Sequence, residues 1–508
     1  MNKRFYLTTA IAYPNGRPHM GHAYEAIASD AIARFKRLDG HDVRFLTGTD
    51  EHGLKIAQAA RAAGIEPRAY VDDTVQPFID MDRQLGISFD RFIRTTDADH
   101  KALCQLLWQR MAAKGDLYLD RYEGWYSVRD EAYYDDSELV AAQDSQGQAV
   151  KLSPQGTPVE WTVEESWFFR LSSYAEPLLK LYADHPEFIQ PSSRFNEMHA
   201  FVTGGLRDLS MSRTSFDWGV PVPGSPGHVM YVWVDALANY LTGAGGIDGE
   251  WWPADLHIVG KDVVRFHAIY WPAFLMSAGL PLPKTVFGHG FVLNRGVKMS
   301  KSDGNVVDPA DMADRFGVDR LRWFLLREVA FGEDGSYSDE AIIERTNADL
   351  ANGIGNLAQR SLSMVAKNLS GAMPGPGATA GADALTASMM SLTEAYFTAM
   401  NGLQLHRALE AVMAMVTATN GYFADNAPWK LAKTDVTAMG HVLHATLDAT
   451  RRIVLLVQPF MPEASARLLD LLCVASDARN FNDLEVIVTT DSKLPEPQGI
   501  FPRWVDPA

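Results

Sequence analysis

Cysteine is nearly absent: Cys104 and Cys473 are the whole complement of a 508-residue chain. Two isolated thiols in apolar helical contexts build no disulfide framework, so both are expected to be buried and the compartment to be a reducing cytoplasm. Basic residues are in deficit, 46 Lys and Arg against 63 Asp and Glu, a net charge of −17. That balance excludes a broad cationic surface for indiscriminate nucleic-acid binding and leaves room only for a structured RNA docked on a local basic path, through few, salt-sensitive contacts. No apolar run approaches the roughly 18 to 20 residues of a membrane span. The opening Asn2-Lys3-Arg4, with the apolar residues up to Ala12, is shorter than the roughly 7 to 15 apolar residues of a signal peptide, and cleavage would delete a strand. No internal repeat is present.

What is present is a soluble globular composition, 47% hydrophobic, enough for two to four domains at roughly 150 residues each. The richest stretch is the loop from Tyr13 to His22. Before it, Arg4 to Ala12 carries Phe, Tyr, Thr and Ile without Gly or Pro and reads as a buried strand. After it, Ile27, Ala31, Phe35 and Leu38 recur at helical spacing until Gly40, and His41 to Thr47 reads as a second strand. This strand–loop–helix–strand unit predicts a parallel sheet with its ligand crevice at the strands' carboxyl ends, where the loop lies. His19 and His22, three residues apart at a helix amino end, suit a triphosphate attacked at its α-phosphate, with Gly21 leaving the backbone approachable. The same tetrapeptide equally suits two ordinary helix-capping histidines.

Asp50 ends the second strand in Thr47-Gly-Thr-Asp-Glu-His52-Gly53. A carboxylate there can hold a substrate ammonium, or Asp50 and Glu51 can cap the helix Leu54 to Ala63. Short strand-like pieces, polar turns and a Pro-rich stretch then suggest an insertion over 116–230, closed by a linker from Val220 to Gly227. The nucleotide-binding pattern resumes with Val229 to Val234 as a strand, Asp235 to Leu241 as a helix and Leu256 to Gly260 as a strand. A helix carrying Phe266, His267, Tyr270 and Trp271 follows, a pattern that fits core packing as well as a ligand pocket. Lys298-Met-Ser-Lys301-Ser302 sits in a glycine-flanked loop that can close over a polyphosphate. Segments 345–368, 384–424, 427–433 and 436–475 have helical apolar spacing, and Ala372 to Ala382 is a flexible connection. The expected divisions are 1–115 and 231–325 for a split nucleotide-binding domain, 116–230 for the insertion, 326–344 for a linker and 345–508 for an all-α bundle.

The two phosphate motifs, in this order and some 280 residues apart, resemble the signatures of class I aminoacyl-tRNA synthetases. Ala12-Tyr13-Pro-Asn-Gly, Gly48 to Gly53, Tyr231-Val-Trp-Val-Asp-Ala236, Gly260-Lys-Asp262 with Phe266-His267, and Asn426-Ala-Pro-Trp429 narrow the resemblance to the methionyl-tRNA synthetase family, over nearly the whole chain. The resemblance implies an α/β, Rossmann-like parallel-sheet catalytic domain, split by a connective-peptide insertion and followed by an all-α anticodon-binding bundle. It implies ATP with Mg²⁺ and methionine as substrates, and a tRNA with a CAU anticodon charged for initiation and elongation.

Carried over residue by residue, the family's roles put His19 and His22 on the ATP phosphates and Lys298 and Lys301 on the departing pyrophosphate. Asp50 takes the methionine ammonium, with Ile11, Tyr13, Trp233, Ala236, Leu237, Tyr240 and His267 lining its pocket. Gly21, Glu25, Gly260, Asp262, His289 and Lys301 fall where the family holds ATP, and Asn356, Arg360 and Trp429 where it reads the anticodon. A thioether gains about 0.3 to 1.5 kcal/mol from aromatic contact. Homocysteine, one methyl smaller, is hard to exclude by binding alone at about 1 to 3 kcal/mol, and the family discards it by cyclisation. One departure matters: where relatives carry Cys-x-x-Cys pairs of a zinc knuckle, this sequence has Ser127 and Asp130, so no structural zinc is expected. The resemblance contains no dimerising extension beyond the bundle, and a monomer is expected.

Overall fold

A computed structural model of the chain describes residues 3–129, 132–144, 148–299, 305–486 and 493–505. Six strands form one sheet in the order Arg91–Arg94, Asp42–Thr49, Arg4–Thr9, Leu256–Gly260, Val286–His289 and Ile189–Gln190, every pair parallel. Ile189–Gln190 lies within the stretch read as an insertion, yet supplies an edge strand of this sheet. Because side chains alternate along a strand, each strand feeds two cores. Leu7, Phe45 and Ile258 enter one, with the helices Met20–Leu38 and Val318–Glu328 and the bundle. Tyr6, Leu46 and Val259 enter the other, with the helices Ala98–Lys114, Val232–Gly243 and Trp271–Ala278.

The insertion carries its own four-stranded antiparallel sheet, Leu209–Ser210, Glu160–Phe169, Leu117–Ser127 and Ala132–Tyr134. The residues from Val220, expected as a linker, are packed: Val220 and Val222 are buried. The segment Val229 to Val234 is a strand only over Val229–Met230, and a helix occupies Val232–Gly243. Nearly every residue of that helix is buried, so the run has no polar face from which a period could be read.

The carboxyl-terminal part is a helical bundle, with two breaks that the spacing did not separate. Segment 384–424 is a hairpin of Ala382–Asn401 and Leu405–Asp425, turned at Gly402 and at Leu403 in the left-handed region (φ 55°). Segment 436–475 divides into Val436–Val457 and Pro462–Leu471, because Pro462 can begin a helix but cannot continue one. Cys104 is buried, as expected, whereas Cys473 is half-buried just past the end of the last of these helices, at φ 55°. No helix among the described residues is long and apolar enough to cross a membrane.

One buried ion pair fastens the parts together. Arg322, in the helix Val318–Glu328, sits 2.6 Å from Asp30 in the helix Met20–Leu38, and neither side chain is exposed to solvent. Arg322 also donates to the carbonyls of Leu85, Pro459 and Phe460, while Asp30 accepts from Arg34 and from Ser88. Burial alone would raise the Asp30 carboxyl, but the charges of Arg322 and Arg34 and the Ser88 hydrogen bond overcome it and hold it below the usual carboxylate range. Asp30→Ala leaves Arg322 buried without its counter-charge. The expected cost is about 3 to 5 kcal/mol, measured as a lowered denaturant midpoint; an unchanged midpoint would show that the pair does not hold the parts together.

Candidate active site

A cavity of about 450 Å³ opens at the carboxyl ends of the central strands, lined by Thr9, Gly48, Gly260 and His289 among others. The expected crevice is thus where the parallel sheet puts it. Of the residues singled out in the sequence, Ile11, Tyr13, His19, Gly21, His22, Glu25, Asp50, Trp233, Gly260, Asp262 and His289 line it. Their proximity follows from backbone lacing: Ala12 N–H donates to Gly48 O and Asp50 N–H to Ala12 O, both at 2.9 Å. Gly48 is required there, since a Cβ would lie 2.0 Å from the Ile93 carbonyl oxygen on the neighbouring strand.

The two histidines cap the helix Met20–Leu38 and also line the cavity. His19 Nδ1 accepts from Gly21 N–H at 3.0 Å, and His22 Nδ1 accepts from His19 N–H at 3.1 Å. Each neutral ring is thereby fixed as the tautomer that keeps its proton on Nε2, a hydrogen-bond donor. The rings stack at 3.9 Å, and a Cβ on Gly21 would come within 2.8 Å of the His19 ring. The glycine therefore makes room for His19 itself.

Asp50 and Glu51 are not helix caps. Gly53 caps Leu54–Ala63 without a side-chain bond, and both carboxylates are buried. Glu51 is clamped by Arg94 at 2.6 and 3.0 Å and by the Thr49 and Thr96 hydroxyls. That clamp leaves Asp50 as the carboxylate facing the cavity.

Across the cavity, Glu25 and His289 pair at 2.7 Å. Burial pushes the Glu25 carboxyl up against the pull of His289, and although burial would lower the imidazole, the Glu25 hydrogen bond and charge raise it.

Ala236, Leu237, Tyr240 and His267 are close by but do not reach the cavity surface. Trp233 lies flat on Phe266 at 3.7 Å and edge-on to His267 at 6.2 Å. Behind it the Tyr240 hydroxyl is 2.6 Å from His267 Nε2, and His267 Nδ1 is 2.9 Å from the Val263 carbonyl. Burial pushes His267 down to about 4, so its ring is neutral, donating to Val263 and accepting from Tyr240.

Lys298 is exposed at the rim, its ammonium 4.5 Å from the ring of Phe291, a cavity residue. Lys301, Ser302 and the insertion's Asp130 lie outside the described residues. At the position of the absent knuckle, the buried Ser127 hydroxyl is 2.7 Å from Thr157 Oγ1, itself 2.8 Å from Ser153 Oγ. A hydroxyl cluster of this kind does not fit a structural zinc ion, which takes thiolate and imidazole ligands.

In the bundle, Asn356 and Arg360 share the helix Asn356–Asn368. The Arg360 guanidinium lies over Phe423 at 5.0 Å and over Trp429 at 5.7 Å. Trp429 is 42% exposed, presented by Pro428 after Ala427 in the left-handed region (φ 41°). Phe423 was not singled out in the sequence, being one apolar residue on an apolar helix face. Lys55, Asp82, Arg129, Tyr134 and Gln155 were also missed as cavity residues. The last three come from the insertion, and only its docking brings them in.

Residues 5–362 match the family described as tRNA synthetases class I (M), and residues 373–498 match the anticodon binding domain of methionyl tRNA ligase. The chain is 56% identical to the methionine–tRNA ligase of Brucella suis, covering 99% of this chain and 98% of the relative. It is also 56% identical to that of Mycobacterium bovis, with 99% of each covered. Its fold superposes with a TM-score of 0.95 on the Mycobacterium tuberculosis methionyl-tRNA synthetase solved with methionyl-adenylate, at 56% identity over 99% of this chain and 100% of that one.

The cavity wall holds one further acid. Asp82 is buried, its Oδ1 has no hydrogen-bond partner among the described residues, and burial, with the charges of Asp30 and Glu25, pushes it from 3.8 up to about 7. An acid raised in the fold costs nothing below its unfolded value and destabilises increasingly as pH rises from about 4 to about 7. Asp82→Asn should therefore stabilise the protein by up to about 4 kcal/mol at pH 8 and by clearly less at pH 5. Equal effects at the two pH values in chemical denaturation would contradict a buried, raised Asp82.

Proposed function

The chain belongs to the methionyl-tRNA synthetases of class I, ligases that activate methionine with ATP and transfer it to tRNA, and we propose how its own residues divide that work. The observation that carries the reading is the stacked His19–His22 pair at a helix amino end, in one cavity with Asp50. It supplies donors for a phosphate and a carboxylate for an ammonium, the two charges that must be brought together.

In the first step the methionine carboxylate attacks the α-phosphorus of ATP, forming the acyl-phosphate bond and breaking the bond to pyrophosphate. Asp50 holds the methionine ammonium. The Nε2–H groups of His19 and His22 and the helix amino end stabilise the oxygens of the pentacoordinate transition state. Lys298 and Lys301 neutralise the leaving pyrophosphate, which reaches the enzyme with Mg²⁺ as part of the substrate. Gly21, Glu25, Gly260, Asp262 and His289 hold adenosine. No side chain acts as a nucleophile, so the acceleration is positioning and charge stabilisation. The tRNA's terminal hydroxyl then attacks the carbonyl of the adenylate and AMP leaves.

Ile11, Tyr13 and Trp233 enclose the methionine side chain, and Ala236, Leu237, Tyr240 and His267 form the far wall behind Trp233. Arg360 and Trp429, with Asn356, stack on and pair with the bases of a CAU anticodon, a stack being worth roughly 1 to 3 kcal/mol per base. The working form is a cytoplasmic monomer serving initiation and elongation.

Pyrophosphate exchange into ATP, run over a panel of amino acids, should proceed with methionine and not with leucine, isoleucine or cysteine. Exchange with none of them would refute the assignment. Trp429→Ala should lower the rate of tRNA charging by about tenfold or more with exchange unaltered; parallel losses would make Trp429 a packing residue. Plasma mass spectrometry of chelator-washed protein should find no stoichiometric zinc, and one zinc per chain would overturn the metal-free insertion.

A further inference from the structure

The two residues that follow Asp50 are anchored differently. Glu51 is tied to Arg94, within the sheet. His52, 2% exposed, reaches the other way: its Nδ1 is 2.6 Å from Asp235 Oδ2. Asp235 stands in the first turn of Val232–Gly243 and is 1% exposed. Its second oxygen, Oδ1, is 2.8 Å from Nε2 of the buried His100 in the helix Ala98–Lys114. His100 Nδ1 is in turn 2.9 Å from Thr242 Oγ1, back on Val232–Gly243 two turns on. One buried carboxylate thus joins the loop bearing Asp50 to the helix bearing Trp233, Ala236, Leu237 and Tyr240, with a second helix as its brace.

His100, Cys104 and Asp235 place three donor atoms within 4.8 Å of one another, which invites a metal reading. The geometry favours hydrogen bonding: a tetrahedral ion about 2.0 Å from each would hold nitrogen and oxygen about 3.3 Å apart, wider than the observed 2.8 Å. Burial would raise the Asp235 carboxyl, yet the charges and hydrogen bonds of His52 and His100 hold it well below the usual carboxylate range. Asp235 is an anion buried between two imidazoles.

We propose that Asp235, held by His52 and His100, is a positioning residue that sets the span between the ammonium-binding carboxylate of Asp50 and the helix that forms the far wall of the methionine pocket. The proposal rests on the reading of Asp50 as the ammonium partner. A substrate anchored at its ammonium and recognised at its thioether is measured by that span. Loosening it weakens methionine and blurs the distinction from an analogue one methylene shorter, while the nucleotide half of the cavity is untouched.

The test is steady-state pyrophosphate exchange with methionine and with S-methylcysteine. Asp235→Asn keeps the volume but removes the charge and one acceptor. Its KM for methionine should rise about tenfold or more, its KM for ATP should stay within about twofold, and its preference for methionine over S-methylcysteine should fall about tenfold. His52→Leu should act in the same direction, and His52→Asn, whose amide nitrogen takes the place of Nδ1, should recover most of the lost methionine affinity. Should Asp235→Asn fail to fold, the two His52 variants carry the same comparison. An unchanged methionine KM in folded Asp235→Asn, or methionine and ATP constants rising together with a lowered melting temperature, would overturn the proposal. Asp50→Asn reads the underlying assignment: an unchanged methionine KM there sinks the ammonium role, whereas a raised one alongside an unaffected Asp235→Asn sinks only the tie.

Discussion

A charge removed from water must find its partner inside the protein or be neutralised. Asp30 and Arg322 set this condition for the whole molecule. The helix bearing Asp30 begins at the cavity with His19 and His22, the helix bearing Arg322 leads out of the catalytic half, and the carbonyls that complete the guanidinium's partners belong to the turn at Pro459 and Phe460 in the bundle. Three parts far apart in sequence satisfy one charge. Around it a single apolar core runs from Leu7 in the central sheet to Phe501 near the carboxyl end. The amino-acid end and the anticodon end are two faces of one packed body, so RNA docked on the bundle meets a catalytic cavity held in fixed register.

The same rule repeats on a smaller scale along residues 50–52. Glu51 and Asp235 are buried carboxylates with both oxygens engaged, and each pulls on the short stretch that contains Asp50. Asp82 is the contrast: a buried acid in the cavity wall with an unsatisfied oxygen and a raised proton affinity. Glu51 and Asp235 shape the site by being fully engaged, whereas Asp82, in the wall of the same cavity, keeps its proton instead.

The parallel sheet, the cavity at its carboxyl ends, the bundle and the family were legible in the sequence, because loop glycines, paired histidines and helical periodicity are local signals. Partners far apart in the chain were not. Nothing around Asp30 or Arg322 distinguishes them from solvated helix charges until the chain folds back across a separation of 292 residues. Glu51 beside Asp50 looks like a helix cap, since the arginine that claims it lies 43 residues on. The helix read over Asp235 to Leu241 is there, but its first turn from Val232 reads as strand because that turn is wrapped in protein and shows no polar face. Arg129, Tyr134 and Gln155 join the cavity only through the docking of the insertion, and Phe423 becomes notable only once Arg360 is found above it.

The strand order has a kinetic side. Arg4–Thr9 is an inner strand of the sheet, yet only one of its neighbours, Asp42–Thr49, follows it closely; the other, Leu256–Gly260, comes some 250 residues later, with Tyr6 N–H donating to Asp255 across a separation of 249. Closing so long a loop costs chain entropy before any contact repays it. During synthesis at about 5 to 20 residues per second, that strand waits on the order of ten seconds or more with one edge open. The insertion, whose long strands Leu117–Ser127 and Glu160–Phe169 are near neighbours in sequence, can complete its own sheet first. The catalytic sheet thus closes along an inner seam, between Arg4–Thr9 and Leu256–Gly260, only after the whole insertion has been made.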